Sequence, residues 1–216
     1  EIRANVAKLK QAVPLHAEQL PIEQKALVAG GGLAGLRAAL ALADRGVRVV
    51  LMEKAPELGG HAVKVLKYTA TGADPQALCN DMIERVREHK KITVHTGCEV
   101  VGNRGTLGSF EVSINKVGTE DPPFTIKVGA VILATGGREG RTAQYRYGGS
   151  PAIVTQVEFE KQISDGTIDP AGLQNVAMIQ CVGSREKGGR EYCSRICCSA
   201  AMKNALKIKE LNPDTR

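Results

Sequence analysis

The feature that most constrains this chain is a glycine-rich turn between an apolar strand and a helix rich in Ala and Leu. Residues Gly30–Gly35 read G-G-G-L-A-G and match the pattern G-x-G-x-x-G. Ala26–Ala29 before the turn predicts a buried strand, and Leu36–Asp44 after it predicts a helix. The first glycine allows the bend, the second lets the backbone approach a pyrophosphate, and the third lets helix and strand pack closely. The pattern therefore predicts a dinucleotide-binding βαβ unit, with the phosphates at the helix N-terminus.

A carboxylate follows where such a unit needs one. Val47–Met52 predicts a second buried strand, and Glu53 stands at its end. A carboxylate in this position accepts hydrogen bonds from the ribose hydroxyls of adenosine and repels a 2′-phosphate. The sequence therefore favours FAD or NAD over NADP.

The remaining hydrophobic pattern extends this unit into an α/β domain. A helix is predicted over Pro75–Lys90, and parallel strands over Ile92–His95 and Ala130–Leu133. Between these strands, Glu99–Val128 alternates in short runs separated by Gly and Pro, as in an antiparallel meander. A second unit is expected to begin after the loop at Tyr145–Pro151. Its predicted elements are a helix near Gln156–Ser164, a strand over Val176–Gln180 and a helix over Ala200–Leu211.

We therefore expect a Rossmann-like fold with a parallel sheet and an antiparallel β-meander crossover, followed by an incomplete second βαβ domain. The predicted parts are an N-terminal helical arm and linker (1–24), the dinucleotide-binding domain (25–150) and the start of the second unit (151–216). The arm carries a short helical period over Glu1–Lys10, and the linker is bracketed by Pro14 and Pro21. Because the chain does not begin with Met, we expect it to be a fragment of a longer protein.

Charge and composition narrow the possible partners. The net charge is +6, but aromatic residues make up only 3% and Trp is absent, which argues against nucleic-acid binding by base stacking. The longest apolar run, within Ala38–Ala43, is far shorter than a membrane span, and no export signal is evident. We expect no nucleic-acid partner and no membrane span. The modest basic excess suits an anionic cofactor or an acidic partner surface.

Four of the six cysteines lie between residues 181 and 198. Such clustering without an export signal indicates metal binding or redox chemistry rather than a disulfide framework. The predicted strand Val176–Gln180 runs into Cys181, and no second G-x-G-x-x-G follows it. We expect one thiol at the strand end and three in the first turn of a helix, from Cys193, Cys197 and Cys198.

Three kinds of site fit this cysteine group. A 4Fe–4S cluster takes four thiolates, and its net negative charge suits a helix N-terminus, which lowers the pKa of a thiol. A structural zinc site also takes four thiolates, usually from two C-x-x-C knuckles. A redox-active disulfide would join Cys193 to Cys197 or Cys198, because adjacent cysteines seldom pair. Cys79 and Cys98 stand apart and are expected to be core or surface thiols. The nearby basic residues are Arg185, Lys187, Arg190 and Arg195.

Two further glycine turns, Gly59-Gly60 and Ala134-Thr135-Gly136-Gly137, resemble those of the flavoproteins with two dinucleotide-binding domains. This resemblance implies that the first fingerprint holds FAD and that the Ala-Thr-Gly turn passes close to the cofactor. It also implies that the strand Cys98-Glu99-Val100 runs past the adenine. His61 and Lys54 stand beside these motifs and complete the expected FAD site.

The cysteine segment has a more specific likeness. Cys181-Val182-Gly183-Ser184-Arg185, followed by Tyr192-Cys193-Ser194-Arg195-Ile196-Cys197-Cys198, resembles the A subunit of heterodisulfide reductase and its bacterial relatives. The likeness extends over essentially the whole chain. It includes Ala29–Leu36, Glu53-Lys54, Glu57–Gly60, Tyr145–Gly149 and Glu158-Phe159-Glu160.

That resemblance implies an FAD- and 4Fe–4S-dependent electron-transfer subunit of a cytoplasmic oxidoreductase complex, working with other subunits and with carriers such as ferredoxin. It implies that the four clustered cysteines ligate the 4Fe–4S cluster. Two alternatives remain open: a stand-alone FAD-dependent dithiol–disulfide oxidoreductase, and a structural zinc module with four cysteine ligands that docks a partner. The expected FAD-site residues are Gly30, Gly32, Leu33, Ala34, Gly35, Glu53, Lys54, Gly59, Gly60, His61, Val100, Ala134, Thr135 and Gly136. The expected cluster ligands are Cys181, Cys193, Cys197 and Cys198.

Overall fold

A computed structural model describes residues 1–12 and 21–216. Most of the linker predicted between Pro14 and Pro21 lies outside the described residues. Helix α1 (Ile2–Gln11) forms as expected, and none of its residues is buried. None of the helices in the described ranges is long and apolar enough to cross a membrane.

The centre of the fold is a four-stranded parallel sheet. It consists of β1 (Lys25–Ala29), β2 (Arg48–Met52), β3 (Ile92–His95) and β7 (Ala130–Leu133), in the order β3-β2-β1-β7. The register pairs Val28 with Leu51 on one side and with Ile132 on the other. The predicted parallel sheet is thereby confirmed.

Three helices lie between these strands in the chain: α2 (Leu33–Ala43), α3 (Gly60–Lys64) and α4 (Pro75–Glu88). The N-terminus of helix α4 is stabilised because Pro75 occupies its first position and the Asp74 side chain accepts a hydrogen bond from Gln76 N–H. Helices α2 and α4 cover one face of the sheet, where Leu36 and Val86 pack against Val28 and Leu51. The short helix α3 was absent from the sequence prediction.

The predicted meander is a second sheet, made of β4 (Cys98–Thr106), β5 (Ser109–Lys116) and β6 (Phe124–Val128) in antiparallel order. Its buried residues Val112 and Ile114 pack against Leu27, Val50 and Met52 on the other face of the parallel sheet. Because strand side chains alternate between faces, β1 and β2 contribute to both cores. The domain is therefore layered as helices, parallel sheet and antiparallel sheet.

The second unit differs from the prediction. Helices α5 (Gln156–Ser164) and α6 (Ile196–Leu211) form and pack together, but residues 176–180 are not a strand. The predicted strand is wrong because a strand needs a neighbour to satisfy its backbone, and within the described residues no neighbour runs along the length of this segment. Instead, Val176 N–H donates to Arg216 C=O, and Ile179 is half exposed. Helix α6 also begins four residues before the predicted Ala200.

Candidate functional site

The turn Gly30–Gly35 has a geometry that only glycine accepts at two positions. Gly30 has a φ of +116°, and a Cβ built there would lie 2.2 Å from the carbonyl oxygen of Ala134. A Cβ on Gly35 would lie 1.8 Å from the carbonyl oxygen of Gly30. The turn is also tied to the sheet, since Gly30 N–H donates to Met52 C=O at 2.7 Å. The neighbouring backbone therefore fixes this turn, and α2 starts directly after Gly32.

A second glycine pair stands against this turn. Gly59 N–H donates to Gly31 C=O at 2.8 Å, and Gly32 and Gly59 form an isolated parallel bridge. Gly60 has a φ of +52°, and a Cβ on it would come within 3.1 Å of the Gly32 Cα. Two backbone segments can approach this closely only where neither carries a side chain. His61 follows Gly60 in α3 and is exposed.

Glu53 is bound to the turn by its side chain. One carboxylate oxygen accepts from Gly31 N–H and the other accepts from Ala55 N–H, both at 2.7 Å. Each oxygen has a further lone pair, so the carboxylate retains capacity for ribose hydroxyls. The Glu53 carbonyl also accepts from Cys98 N–H at 3.0 Å, which brings β4 over the end of β2. Val100 lies two residues further along β4 and is partly exposed.

The connection between β5 and β6 lies near this carboxylate. Gly97 N–H donates to Ala55 C=O at 3.0 Å, and the Gly97 carbonyl accepts from Val117 N–H at 2.8 Å. Residues 117–123, which form the connection, are exposed throughout. The connection therefore begins at the end of the parallel sheet where Glu53 stands.

Two other predicted residues border this region. Ala134 continues the pairing of β7 with β1, because its N–H donates to Ala29 C=O at 2.8 Å. Its carbonyl faces Gly30, so the Ala134–Gly136 turn lies at the same end of the sheet as the glycine turn. Lys54 pairs with Glu99 at 2.5 Å on the exposed surface. Ligands of open α/β sheets bind outside these carboxyl ends of the strands.

The four clustered cysteines lie on three backbone segments. Cys181 directly follows residues 176–180 and has a φ of +60°, which is unusual for a residue with a side chain. Cys193 precedes α6, and its sulfur accepts from Arg195 N–H at 3.3 Å. Cys197 and Cys198 occupy the first turn of α6. The prediction of three thiols in a helical turn is therefore wrong for Cys193, which belongs to the loop.

The Cys198 thiol lies close enough to the other three clustered thiols for their charges to act on it. The pKa of Cys198 is raised chiefly by the neighbouring charge of Cys197, then by burial, with smaller contributions from Cys181 and Cys193. The sequence predicted the opposite direction from the helix N-terminus, but the repulsion between thiolates outweighs that effect here. All six cysteines are free, and Cys79 and Cys98 are buried in the core. In the part of the chain that the structure describes, no group of three or more His, Cys, Asp or Glu side chains converges on a single metal-ion position.

The loop of the cysteine group contacts the loop that follows the Ala134–Gly136 turn. The Arg190 guanidinium donates to Arg141 C=O at 3.2 Å, and the Gln144 amide donates to Glu186 at 3.0 Å. The chain after β7 is thereby connected to the chain before α6. These contacts link the two regions that the sequence selected independently.

Sequence reasoning missed the polar residues that join the second unit to the first. Glu160 on α5 pairs with Lys203 on α6 at 2.5 Å, and both side chains are buried. Burial and the charge of Glu160 raise the pKa of Tyr68, which adjoins this pair. Asn204 is fully buried and accepts from the Tyr68 hydroxyl at 2.8 Å. The only sequence signal for this contact was Glu160, a charged residue that directly follows Phe159 in a predicted helix.

Helix α5 begins with a capping box. Thr155 Oγ1 accepts from Glu158 N–H, and the Glu158 carboxylate accepts from Thr155 N–H at 2.8 Å. The same carboxylate accepts from the Tyr147 hydroxyl at 2.7 Å. The Thr155 bond, followed by the Tyr147 bond, lowers the pKa of Glu158. The loop before α5 is therefore anchored to the start of the helix.

Comparison with known proteins gives a consistent assignment. A family model described as FAD dependent oxidoreductase matches residues 26–134, half of the chain. The chain is 28% identical to an iron-sulfur A subunit of CoB–CoM heterodisulfide reductase from Methanopyrus kandleri, over 99% of this chain and 45% of that protein. It is also 28% identical to the A subunit of a ferredoxin:CoB-CoM heterodisulfide reductase from Methanosarcina acetivorans, over 99% of this chain and 42% of that protein. The chain spans less than half the length of these curated relatives.

A solved structure supports the fold. The L-proline dehydrogenase of P. horikoshii superposes with a TM-score of 0.50 at 18% identity, over 90% of this chain and 36% of that chain. At this identity the likeness concerns the fold alone. It agrees with the α/β architecture described above. By its matched region and its fold, this chain belongs to the FAD-dependent oxidoreductase family.

Proposed function

We propose that this chain is the FAD- and 4Fe–4S-binding part of an electron-transfer subunit similar to the A subunit of heterodisulfide reductase. The observation that carries the proposal is the pairing of two features in one chain. A glycine turn enclosed by neighbouring backbone is followed by a group of four thiols, in which the Cys198 thiol feels the charges of the other three. The similarity to curated subunits over 99% of the chain supports the same assignment.

The FAD site is assigned to residues at the carboxyl ends of the parallel strands. The turn Gly30–Gly35, with Leu33 and Ala34 opening α2, receives the pyrophosphate on free N–H groups. Glu53 binds the ribose and Val100 borders the adenine. The Gly59–His61 and Ala134–Gly136 segments flank the cofactor, and Lys54 lies beside Glu53. When bound, the flavin supplies one- and two-electron transfer, while these residues bind and orient it.

The cluster site is assigned to Cys181, Cys193, Cys197 and Cys198. Four thiolates are the usual donors for a 4Fe–4S cluster. The Arg195 N–H bond to the Cys193 sulfur resembles the hydrogen bonds that stabilise such clusters. A structural zinc site usually draws its thiolates from two C-x-x-C knuckles, and this cysteine group contains no C-x-x-C. The spacing therefore favours the iron–sulfur cluster over zinc.

The setting of the proposed subunit follows from the relatives' names. Those names describe subunits of reductases, and one of the names includes ferredoxin. We therefore assign this chain to a multisubunit oxidoreductase that exchanges electrons with an iron–sulfur carrier protein. A cytoplasmic location is what the resemblance to heterodisulfide reductase implies.

Anaerobic purification with flavin, iron, labile-sulfide and zinc analysis tests the proposal. We expect stoichiometric flavin, iron equal to sulfide, and a broad visible absorption that dithionite bleaches. Cys193→Ser should abolish iron binding and leave the flavin content unchanged. Stoichiometric zinc without iron would favour the docking module. A metal-free protein whose free thiol count rises on reduction would favour the dithiol oxidoreductase.

A further inference from the structure

A largely buried ion pair between α5 and α6 of the second unit contacts the first unit. The Glu160 and Lys203 side chains approach within 2.5 Å and are only 4% and 11% exposed. Two charges removed from water in this way are tolerated only when they are paired and their remaining hydrogen-bonding capacity is used. The groups that form hydrogen bonds with this ion pair therefore identify the segment that the pair holds in place.

Those partners belong to the segment that leaves α3. Glu160 accepts a hydrogen bond from Lys67 N–H at 2.7 Å, and the Lys203 ammonium donates to Tyr68 C=O at 3.3 Å. The same ammonium lies 4.7 Å from the centre of the Tyr68 ring, a favourable cation–π distance. One charge binds a backbone donor and the other a backbone acceptor, so the segment is held at two adjacent residues.

A second set of bonds completes the contact. The Tyr68 hydroxyl donates to the Asn204 side-chain oxygen at 2.8 Å. The Asn204 amide nitrogen donates to the carbonyl and side-chain oxygens of Gln156, at 3.1 and 2.8 Å. We call Tyr68, Gln156, Glu160, Lys203 and Asn204 the junction network. Its bonds join α5, α6 and the segment after α3.

The junction network is connected along the chain to both parts of the proposed site, the flavin turn and the cysteine helix. The segment containing Tyr68 continues back through α3 to Gly60, which touches Gly32 in the glycine turn. Lys203 stands five residues after Cys198 on α6, roughly 8 Å along the axis at 1.5 Å per residue. The network is thus a short mechanical connection between the flavin turn and the helix that starts with two cysteines.

We infer that the junction network, centred on the Glu160–Lys203 pair, is a positioning device that fixes the cysteine helix relative to the flavin turn. Apolar packing alone would define the position of α6 less sharply than directional hydrogen bonds do. Directional bonds to the Lys67 and Tyr68 backbone sharpen that position. Because electron transfer slows steeply with distance, a fixed separation keeps the flavin and the cluster in exchange. The electron-transfer part of this inference rests on the proposed function.

Hydrogen exchange of the cofactor-free chain tests the connection directly. Glu160→Gln is compared with Glu210→Gln, which removes the charge of a carboxylate that is 67% exposed near the end of the same helix α6. We expect Glu160→Gln to raise exchange by about tenfold or more both in residues 60–68 and in the first turns of α6. The Glu210 variant should change neither segment. Faster exchange in α6 without a change in residues 60–68 would overturn the inference.

A milder variant tests the same inference in case Glu160→Gln disrupts the fold. Tyr68→Phe removes only the hydroxyl bond to Asn204 and keeps the ion pair. It should raise exchange in the same two segments by a smaller factor, with an unchanged circular dichroism spectrum. If neither variant couples the two segments, the junction network is ordinary core structure.

A second measurement uses the cofactor-loaded protein. Glu160→Gln should slow electron transfer between flavin and cluster by at least several-fold at unchanged flavin and iron content, while Glu210→Gln should not. An unchanged transfer rate would contradict the positioning role. Wild-type protein without iron would instead contradict the proposed function, and the exchange experiment alone would then decide whether the two segments are coupled.

Discussion

The turn Gly30–Gly35 is enclosed by β1, β7 and the Gly59–Gly60 turn, whereas the loop that leads to Cys193 is exposed along most of its length. In the first region, carbonyl oxygens occupy the positions that a Cβ would need, and Glu53 already holds the backbone. In the second, the charges of the other three thiols disfavour the Cys198 thiolate, and the described residues form no common ion position. The fold itself therefore preforms the turn of the proposed nucleotide site, whereas it leaves the proposed cluster site open.

This difference follows from what each ligand can contribute. A flavin nucleotide binds through many weak contacts, so the protein must present them in advance. An iron–sulfur cluster forms strong bonds to each thiolate and can order the loop that carries them. Three predictions test this contrast between a preformed and a ligand-organised site, and a fourth tests the start of α5.

The largest effect is expected at Gly35, where the contrast is sharpest. Gly35→Ala places a Cβ against the Gly30 carbonyl and should destabilise the domain by about 3 kcal/mol or more, with loss of flavin binding. Gly172→Ala is the matched control, because no atom lies within 4 Å of its Cβ position. Urea unfolding of both variants measures the difference. Equal stabilities for the two variants would contradict the description of the turn as preformed.

Substitutions of Cys193 and Cys79 should have opposite effects on iron content and on the unfolding free energy. Cys193→Ser should abolish iron binding and change the unfolding free energy of the metal-free chain by less than about 0.5 kcal/mol, because the residue is exposed. Cys79 is fully buried near the Gly59 carbonyl, and burial raises the pKa of its thiol. Cys79→Ser should therefore destabilise the chain by about 1–3 kcal/mol and leave iron content unchanged.

Iron analysis and thermal unfolding of the two variants provide this double comparison. If Cys193→Ser destabilised the metal-free chain as strongly as Cys79→Ser, the cysteine loop would be as rigid as the core. The distinction between the two sites would then be lost.

At Glu53 the preformed site can be weakened without breaking the turn. Glu53→Gln keeps one acceptor oxygen but removes the charge that Gly31 and Ala55 N–H bind. We expect about tenfold weaker FAD binding, or roughly 1.4 kcal/mol, measured by flavin fluorescence titration. The Glu88→Gln variant changes an exposed carboxylate at the end of α4 and serves as the control. Unchanged affinity in Glu53→Gln would remove this residue from the nucleotide site.

The smallest effect is expected at the capping box of α5, where the pH dependence has a defined sign. Because folding lowers the pKa of Glu158, its carboxylate stabilises the fold above the unfolded-state pKa of about 4.3. That contribution is lost as the pH falls through the lower, folded-state pKa. Glu158→Gln should cost about 1 kcal/mol at pH 7, and the difference from wild type should shrink below about pH 4.

Urea unfolding at about pH 7 and about pH 3.5, on either side of the unfolded-state pKa, measures this change. Glu84→Gln, on the exposed side of α4, should match the wild type at both values. A difference that grew on acidification would reverse the assigned sign.

The sequence-based prediction succeeded where the controlling contacts are local. The glycine turn, its flanking strand and helix, and the meander all follow from short patterns, and the structure confirms the predicted α/β layout. Glu53 could be assigned to the turn from the sequence because it stands at the end of the strand that follows the turn and its helix. Whether these residues contact FAD stays a prediction.

The prediction failed where a partner distant in sequence decides the structure. Residues 176–180 read as a strand from their apolar run, but a strand also needs a neighbour to bond. Helix α3 contains Gly60 and only five residues, too few for a helical period. The bonds from Tyr68 to Asn204 and from Lys67 to Glu160 span 136 and 93 residues, so no local pattern indicates them.

The exposed connection between β5 and β6, residues 117–123, begins at the end of the parallel sheet where Glu53 stands. The entropic cost of a longer loop rises only logarithmically with its length, so an insertion there leaves the strand register of both sheets intact. A whole further module can therefore enter the chain at this point, beside the nucleotide turn and without disturbing it.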